Sequence, residues 1–338
     1  MGYYYLPKCY ALNSTTALEN VQSMFLAQIR NRLPQNVAFA DELAELLNVS
    51  RDSAYRRIRG ETVLSLDEVK KLYDQYGVSL DAIISPDSNM VLFQHQEVDV
   101  NFTLETWLKS LIQNLEMAKS SKELELVFAA KDIPIFHYFQ LPELTAFKLF
   151  VWSKSVIKDP RNENVQYNTN AIPKEILAIA AKAGQLYGAL PSIEIWSDEA
   201  INGTLKQIEF YHECGFFSAK NQSSHLCDLL IEFNNQIKAE ASEGRKSEGG
   251  LFTLYQNEIL ILDNTIFAKI NKERVVFINY NTLDLLTTHQ DPFCEKTEAY
   301  MNNLIKNSAL ISATAEKERN RFFGKIEERI IACKAKLS

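Results

Sequence analysis

The chain has 338 residues and a formal net charge of −7, with 46% of its residues hydrophobic and 23% charged. That length admits about two domains, each with a buried core, and the low Gly and Pro counts exclude collagen-like, linker-rich or disordered chains. The longest apolar runs, 176–181 and 259–262, fall far short of a bilayer span.

The start, with Tyr3, Tyr4, Tyr5 and Leu6 before Pro7 and Lys8, lacks the basic residues and continuous apolar core of a secretory signal, so a cytoplasmic location is expected. Five scattered cysteines (Cys9, Cys214, Cys227, Cys294, Cys333), without a CxxC pair, suit reduced thiols. Leu18, Val21, Met24, Phe25, Ile29 and Leu33 carry helical spacing over 17–33, and Pro34 stops it. Short helices are predicted over 39–47, 50–59, 65–76 and 79–84, separated by turns at Asn48, Gly60 and Gly77.

Pro86 to Asn89 form a polar break, and 94–101 is polar enough for a linker or an exposed strand. The organisation predicted is therefore a helical domain over 1–90 (core 37–84), a linker over 91–101 and a larger domain over 102–338. In that domain the pattern predicts a helix over 103–119, short β segments over 124–129 and 133–139, and an aromatic-rich helix over 142–157. A helical pair follows Pro173, then a strand at 193–196 and helices over 198–215 and 222–239. A Ser-, Glu- and Gly-rich loop over 241–250 leads to strands over 251–255, 259–270 and 274–280, expected to form an antiparallel meander. Helices near 292–311 and 315–336 end the chain. The fold class expected is α+β, mainly α with a smaller β component.

Chemistry concentrates in Phe39-Ala-Asp-Glu-Leu-Ala-Glu-Leu-Leu-Asn-Val-Ser-Arg-Asp-Ser-Ala-Tyr-Arg-Arg-Ile-Arg-Gly-Glu61. Ala44 is small enough for a close helix crossing. Asn48 tolerates a left-handed turn, Val49 plugs the core and Ser50 caps the next helix. Ser65-Leu-Asp-Glu68 forms a capping box ahead of Val69, Leu72 and Tyr76. Ala54 and Ile58 share the face that packs inward, which turns Asp52, Tyr55, Arg56 and Arg59 outward, with Ser53 at the edge and Arg51 and Arg57 flanking.

This stretch resembles the phage-repressor (Cro-like) helix-turn-helix family over about fifty residues, with Asn48 where the family usually has glycine. The resemblance implies a bacterial-type transcriptional regulator whose second helix enters the major groove of double-stranded DNA. Asp52, Ser53, Tyr55 and Arg56 are the candidates for base readout, and Arg51, Arg57 and Arg59 for phosphate contacts. Asp41, Glu42, Glu45, Glu68 and Asp74 lie on other helices, so a positive stripe is expected to coexist with the negative whole. The alternative reading is a protein-interaction scaffold whose helical module does not touch DNA.

The 240 or so remaining residues are read as a domain for sensing a small-molecule effector, for dimerisation, or both; their order of elements is similar to GAF- or PAS-like sensors. The aromatics from Phe128 to Trp152 are read as core rather than a ligand pocket. His212, Cys214, His225 and Cys227 have metal-ligating side chains, but two residues apart on a helix they diverge, and no metal is expected. Gly244-Arg-Lys-Ser247 lacks the upstream glycine of a phosphate loop and is read as a surface loop. No cofactor fingerprint or catalytic motif is present, so neither a cofactor nor an enzyme activity is expected. Phe322, Phe323, Ile326, Ile330 and Ile331 form a stripe on the last helix that would cover the domain or pair two copies into a homodimer reading a roughly palindromic site.

Overall fold

The computed structural model describes residues 21–33, 37–78, 80, 83, 91–95, 102–258, 261 and 263–337. The tyrosine-rich start, Cys9, the first residues of the 17–33 helix, Pro34, most of the 79–84 helix, the 86–89 break and residues 96–101 lie outside the described residues. The chain divides into two compact units, Met1–Val91 and Leu92–Ser338.

The first unit is helical: α1 (Val21–Arg32), α2 (Phe39–Leu47), α3 (Arg51–Ile58) and α4 (Leu66–Tyr76). Phe25, Leu26 and Ile29 of α1 meet Leu43 and Leu47 of α2, Ala54 of α3 and Leu72 of α4 in one buried cluster. The starts of α3 and α4 are set by local chemistry. Ser50 Oγ accepts from the Ser53 amide at 3.2 Å, and Ser65 and Glu68 close a reciprocal capping box.

In the second unit the order is β1 (Gln94–His95), α5 (Leu104–Ser120), β2 (Leu124–Ala130), α6 (Ile135–Tyr138) and α7 (Pro142–Val151), the last running into a π-helical turn at Trp152–Ile157. Next come α8 (Lys174–Ala189), β3 (Ser192–Trp196), α9 (Asn202–Glu213), α10 (Gln222–Glu243) and β4 (Phe252–Gln256). The unit closes with β5 (Thr265–Ile270), β6 (Glu273–Asn279), β7 (Leu285–Thr288), α11 (Asp291–Lys306), β8 (Ala309–Leu310) and α12 (Glu316–Lys336). One mixed sheet runs β1-β7-β6-β5-β2-β3-β4-β8. The class is α+β.

The two connections β2→β3 and β3→β4 are long and helical, as parallel pairing requires, and they set β2, β3 and β4 side by side in parallel. Alternate residues of these strands face opposite layers. Phe128, Ala130, Trp196, Phe252 and Leu254 join the large core beneath α5–α10 and α12. Val127, Ala129 and Ile195 join Phe267, Val276 and, on α11, Cys294, Met301 and Leu304 on the other side.

Several expectations are corrected here. Residues 133–139 form a single helical turn, not a strand, because Pro134 presets its φ at the entry to α6. The meander is β5-β6-β7; β4 leaves it to pair in parallel with β3, and β7 had no expected counterpart. Of the two readings of 94–101, linker or exposed strand, Gln94 and His95 take the second, as an exposed edge strand against β7. One helix, α8, replaces the pair after Pro173. The phenylalanines and Ile326 and Ile330 of α12 are spent inside their own unit, all essentially buried, and only Ile331 stands exposed. The stripe therefore gives no support for a dimer. Nothing in the strand order confirms a GAF- or PAS-like fold. Among the described residues no helix is long and apolar enough to cross a membrane.

At the centre of the large core lies a buried polar network, and it includes Lys246, which the sequence places in a surface loop. Glu194 of β3 accepts from Tyr187 Oη at 2.7 Å, Ser192 Oγ at 2.9 Å, Trp196 Nε1 at 3.0 Å and His137 Nε2 at 3.0 Å. Lys246 Nζ sits 3.9 Å above the Tyr187 ring and donates to the Tyr187 carbonyl. Burial pushes the Glu194 carboxyl up, but the charge and hydrogen bond of His137, with Lys246 and Tyr187, outweigh it and hold it at about 2. Burial likewise pushes the Lys246 ammonium down to about 8 against the pull of Glu194 and Glu240.

Candidate nucleic-acid interface

The turn between α2 and α3 is built as the residues demand. Asn48 adopts φ 54°, ψ 51°, and its amide and that of Val49 close onto the Glu45 and Ala44 carbonyls. Asparagine is one of the few non-glycine residues that enter this region readily. The turn seats Ala54, fully buried, against α2, and no larger side chain would leave the helices that close.

With Ala54 inside, Arg51, Asp52, Tyr55, Arg56 and Arg59 are exposed and Ser53 is half-buried. Five of the seven candidate contact residues thus share one open face. Arg57 does not join them. Its side chain is only 15% exposed, its Nη2 donates to Glu68 Oε1 at 2.8 Å and its Nη1 to the Ser53 carbonyl. It braces α3 against α4, and its guanidinium is not presented on the open face with the other arginines. Burial pushes the Glu68 carboxyl up, but the Arg57 hydrogen bond and the Ser65 amide carry it below the usual carboxylate range.

The expected separation of acidic residues from the arginine stripe is also corrected. Asp41 pairs with Arg51 at 2.7 Å, and Glu61 lies between Arg59 at 2.6 Å and Arg56 at 3.8 Å. These pairs are exposed and individually weak, so a phosphate can displace them.

Gln22 of α1 supports this face structurally, and no motif in the sequence singles it out. Its Nε2 donates to the carbonyls of Arg57 and Thr62, both at 2.8 Å, and its Oε1 accepts from the Leu64 amide at 2.8 Å. One amide thereby ties the C-terminal end of α3 and the following loop to α1. The spacing of 35 to 42 residues hides this contact from any local pattern. Gln22→Ala leaves three backbone groups without this partner and is expected to destabilise the first unit by about 1–3 kcal/mol. Faster amide exchange at Leu64 than at the α2 amides would register it; unchanged exchange would show that the clamp carries nothing.

The second unit offers a cleft of about 350 Å³ lined by Ser197, Asp198, Glu199, Gln256, Asn257, Glu258 and Lys325. These residues are the last of β4 and those just beyond the carboxyl ends of the parallel strands β3 and β4, together with Lys325 of α12; the ends of parallel strands are the usual place for ligands in such sheets. Asp198 holds Lys325 at 2.9 Å and Arg329 at 3.1 Å. The four residues weighed as metal ligands are dispersed: His212 pairs with Ser223, His225 with Glu143, Cys214 is exposed and Cys227 is buried. Among the described residues no group of His, Cys, Asp or Glu side chains is placed to hold a metal ion. No family model, curated protein or solved structure matches the chain.

Proposed function

We propose that the protein is a DNA-binding transcriptional regulator whose first unit docks α3 in the major groove. The observation that carries this is the exposed α3 face. A left-handed Asn48 turn and a buried Ala54 hold Arg51, Asp52, Tyr55, Arg56 and Arg59 outward on a helix crossing α2. Asp52, Tyr55 and Arg56, with Ser53 at the edge, read bases; Arg51 and Arg59 hold phosphates. The second unit senses a small polar effector, a role supported by the cleft at the ends of β3 and β4.

Fluorescence anisotropy of duplex DNA across a salt series tests the reading. The wild type is expected to bind with a steep salt dependence, and Arg56→Ala with Arg59→Ala to weaken binding by about tenfold or more, lowering the slope of log K against log salt by about 1 for each phosphate that no longer meets an arginine. Absence of binding by the wild type at low salt overturns it.

The protein-interaction reading has one observation in its favour. Val63 and Leu66, in the loop after α3 and at the start of α4, are more than 80% exposed. Under that reading the module forms a complex insensitive to salt and indifferent to DNA.

A further inference from the structure

We infer that Glu61 is a specificity-setting residue of the α3 face, an internal competitor for the arginines that would otherwise hold any phosphate backbone. This rests on the DNA-binding reading above. Glu61 receives the Arg59 side chain through two parallel hydrogen bonds, Nε to Oε1 at 2.6 Å and Nη2 to Oε2 at 3.1 Å. That is the fork in which a guanidinium also grips a phosphate. The same carboxylate lies 3.8 Å from Arg56 Nε, so one acid faces both arginines at the C-terminal end of the recognition helix. Both arginines and Glu61 are about half exposed, open to solvent and to a ligand alike.

The charge around this face makes the competition matter. Residues 37–84 carry nine acidic and six basic side chains, and Arg57 is already committed to Glu68. Arg51 carries its own carboxylate, from Asp41. A duplex of arbitrary sequence offers only phosphates, and each guanidinium it takes must first leave a carboxylate, which then stays nearby and repels the backbone. A site whose bases also engage Asp52, Ser53 and Tyr55 has a second source of affinity that does not depend on freeing an arginine from Glu61. Glu61 therefore weakens indiscriminate binding more than binding to the preferred site.

The test compares the full-length wild type with Glu61→Gln, which keeps the side chain's size and removes its charge. Glu105→Gln serves as a control, because Glu105 is an exposed acid on α5 in the second unit and its loss changes net charge equally. Affinity for random duplex DNA is measured by anisotropy at several salt concentrations, with far-UV circular dichroism to establish that the helices are retained.

Glu61→Gln is expected to bind random duplex roughly fivefold more tightly at low salt, the scale of one unit-charge contact in water. The gain should fade as salt screens the exposed charges, while Glu105→Gln stays within twofold of the wild type. Against a duplex enriched by selection from a random pool, the ratio of selected to random affinity should fall in Glu61→Gln. Wild-type binding with unchanged random-duplex affinity in Glu61→Gln overturns this inference alone, as does an equal gain in Glu105→Gln. Absence of binding by the wild type and by Glu61→Gln at low salt overturns both it and the DNA-binding reading.

Discussion

Glu194→Ala is expected to remove about 3–5 kcal/mol from the stability of the second unit, the range for deleting one partner of a buried ion pair. The carboxylate is fully buried and collects donors from Tyr187, Ser192, Trp196 and His137, with the Lys246 ammonium close by. Without it those donors lose this acceptor, and Glu240 alone is left to hold the Lys246 charge against burial. His137 Nδ1 already lacks a hydrogen-bond partner, so the ring has nothing to fall back on. Against a typical domain stability of about 5–15 kcal/mol, such a loss should be visible in urea unfolding followed by tryptophan fluorescence, since Trp196 is itself a donor to Glu194. A loss below about 1 kcal/mol would mean that the network contributes little.

The same carboxylate predicts an acid response whose sign is fixed. Its folded pKa is depressed to about 2 from an ordinary 4.5. The stability it contributes is therefore fully present above pH ~4.5 and is lost as pH falls through the window from ~4.5 to ~2. The shift corresponds to about 3 kcal/mol. Glu194→Gln should be less stable at neutral pH and show a shallower loss across that window; an identical acid slope in the two proteins would place the acid-sensitive group elsewhere.

The first unit was the more legible part of the chain because its signals are local. Ser50, the Ser65–Glu68 box and Asn48 each act within four residues, and they fix the boundaries of α2, α3 and α4 to within a residue of the expectation. The sheet was less legible. Strand β4 carries the same apolar signal whether its neighbour runs parallel or antiparallel, and the crossover helices α9 and α10 decide the matter through tertiary packing. Residues 133–139 have the apolar and aromatic content of a strand, and only the position of Pro134 at a helix entry argues otherwise. Lys246 looked like a surface residue because it sits among Gly244, Arg245, Ser247 and Glu248; its burial depends on Tyr187, Glu194 and Glu240, contributed by three other elements. At the candidate interface, the outward face of α3 followed from helical geometry, whereas the removal of Arg57 by Glu68 and the clamp by Gln22 are contacts between distant residues.

Ala54→Leu separates what the fold requires from what the proposed DNA contact requires. Ala54 has no exposed surface and stands where α3 crosses α2, among Phe25, Leu26, Leu43, Leu47 and Leu72. Three added carbons cannot be housed without prising α3 from α2, and overpacking of this kind costs typically 1–3 kcal/mol and sometimes more. A unit with a small core has little stability to lose, so the expected outcome is a first unit that is partly unfolded near 37 °C and a loss of DNA binding. All three tryptophans lie in the second unit, at 107, 152 and 196, so its unfolding can be followed separately by fluorescence and should stay at the wild-type midpoint. The Arg56→Ala and Arg59→Ala pair should show the opposite pattern, retaining the helical signal while losing DNA. If Ala54→Leu still binds DNA with wild-type affinity, the α2–α3 crossing does not present the binding face, and DNA recognition belongs to another surface of the protein.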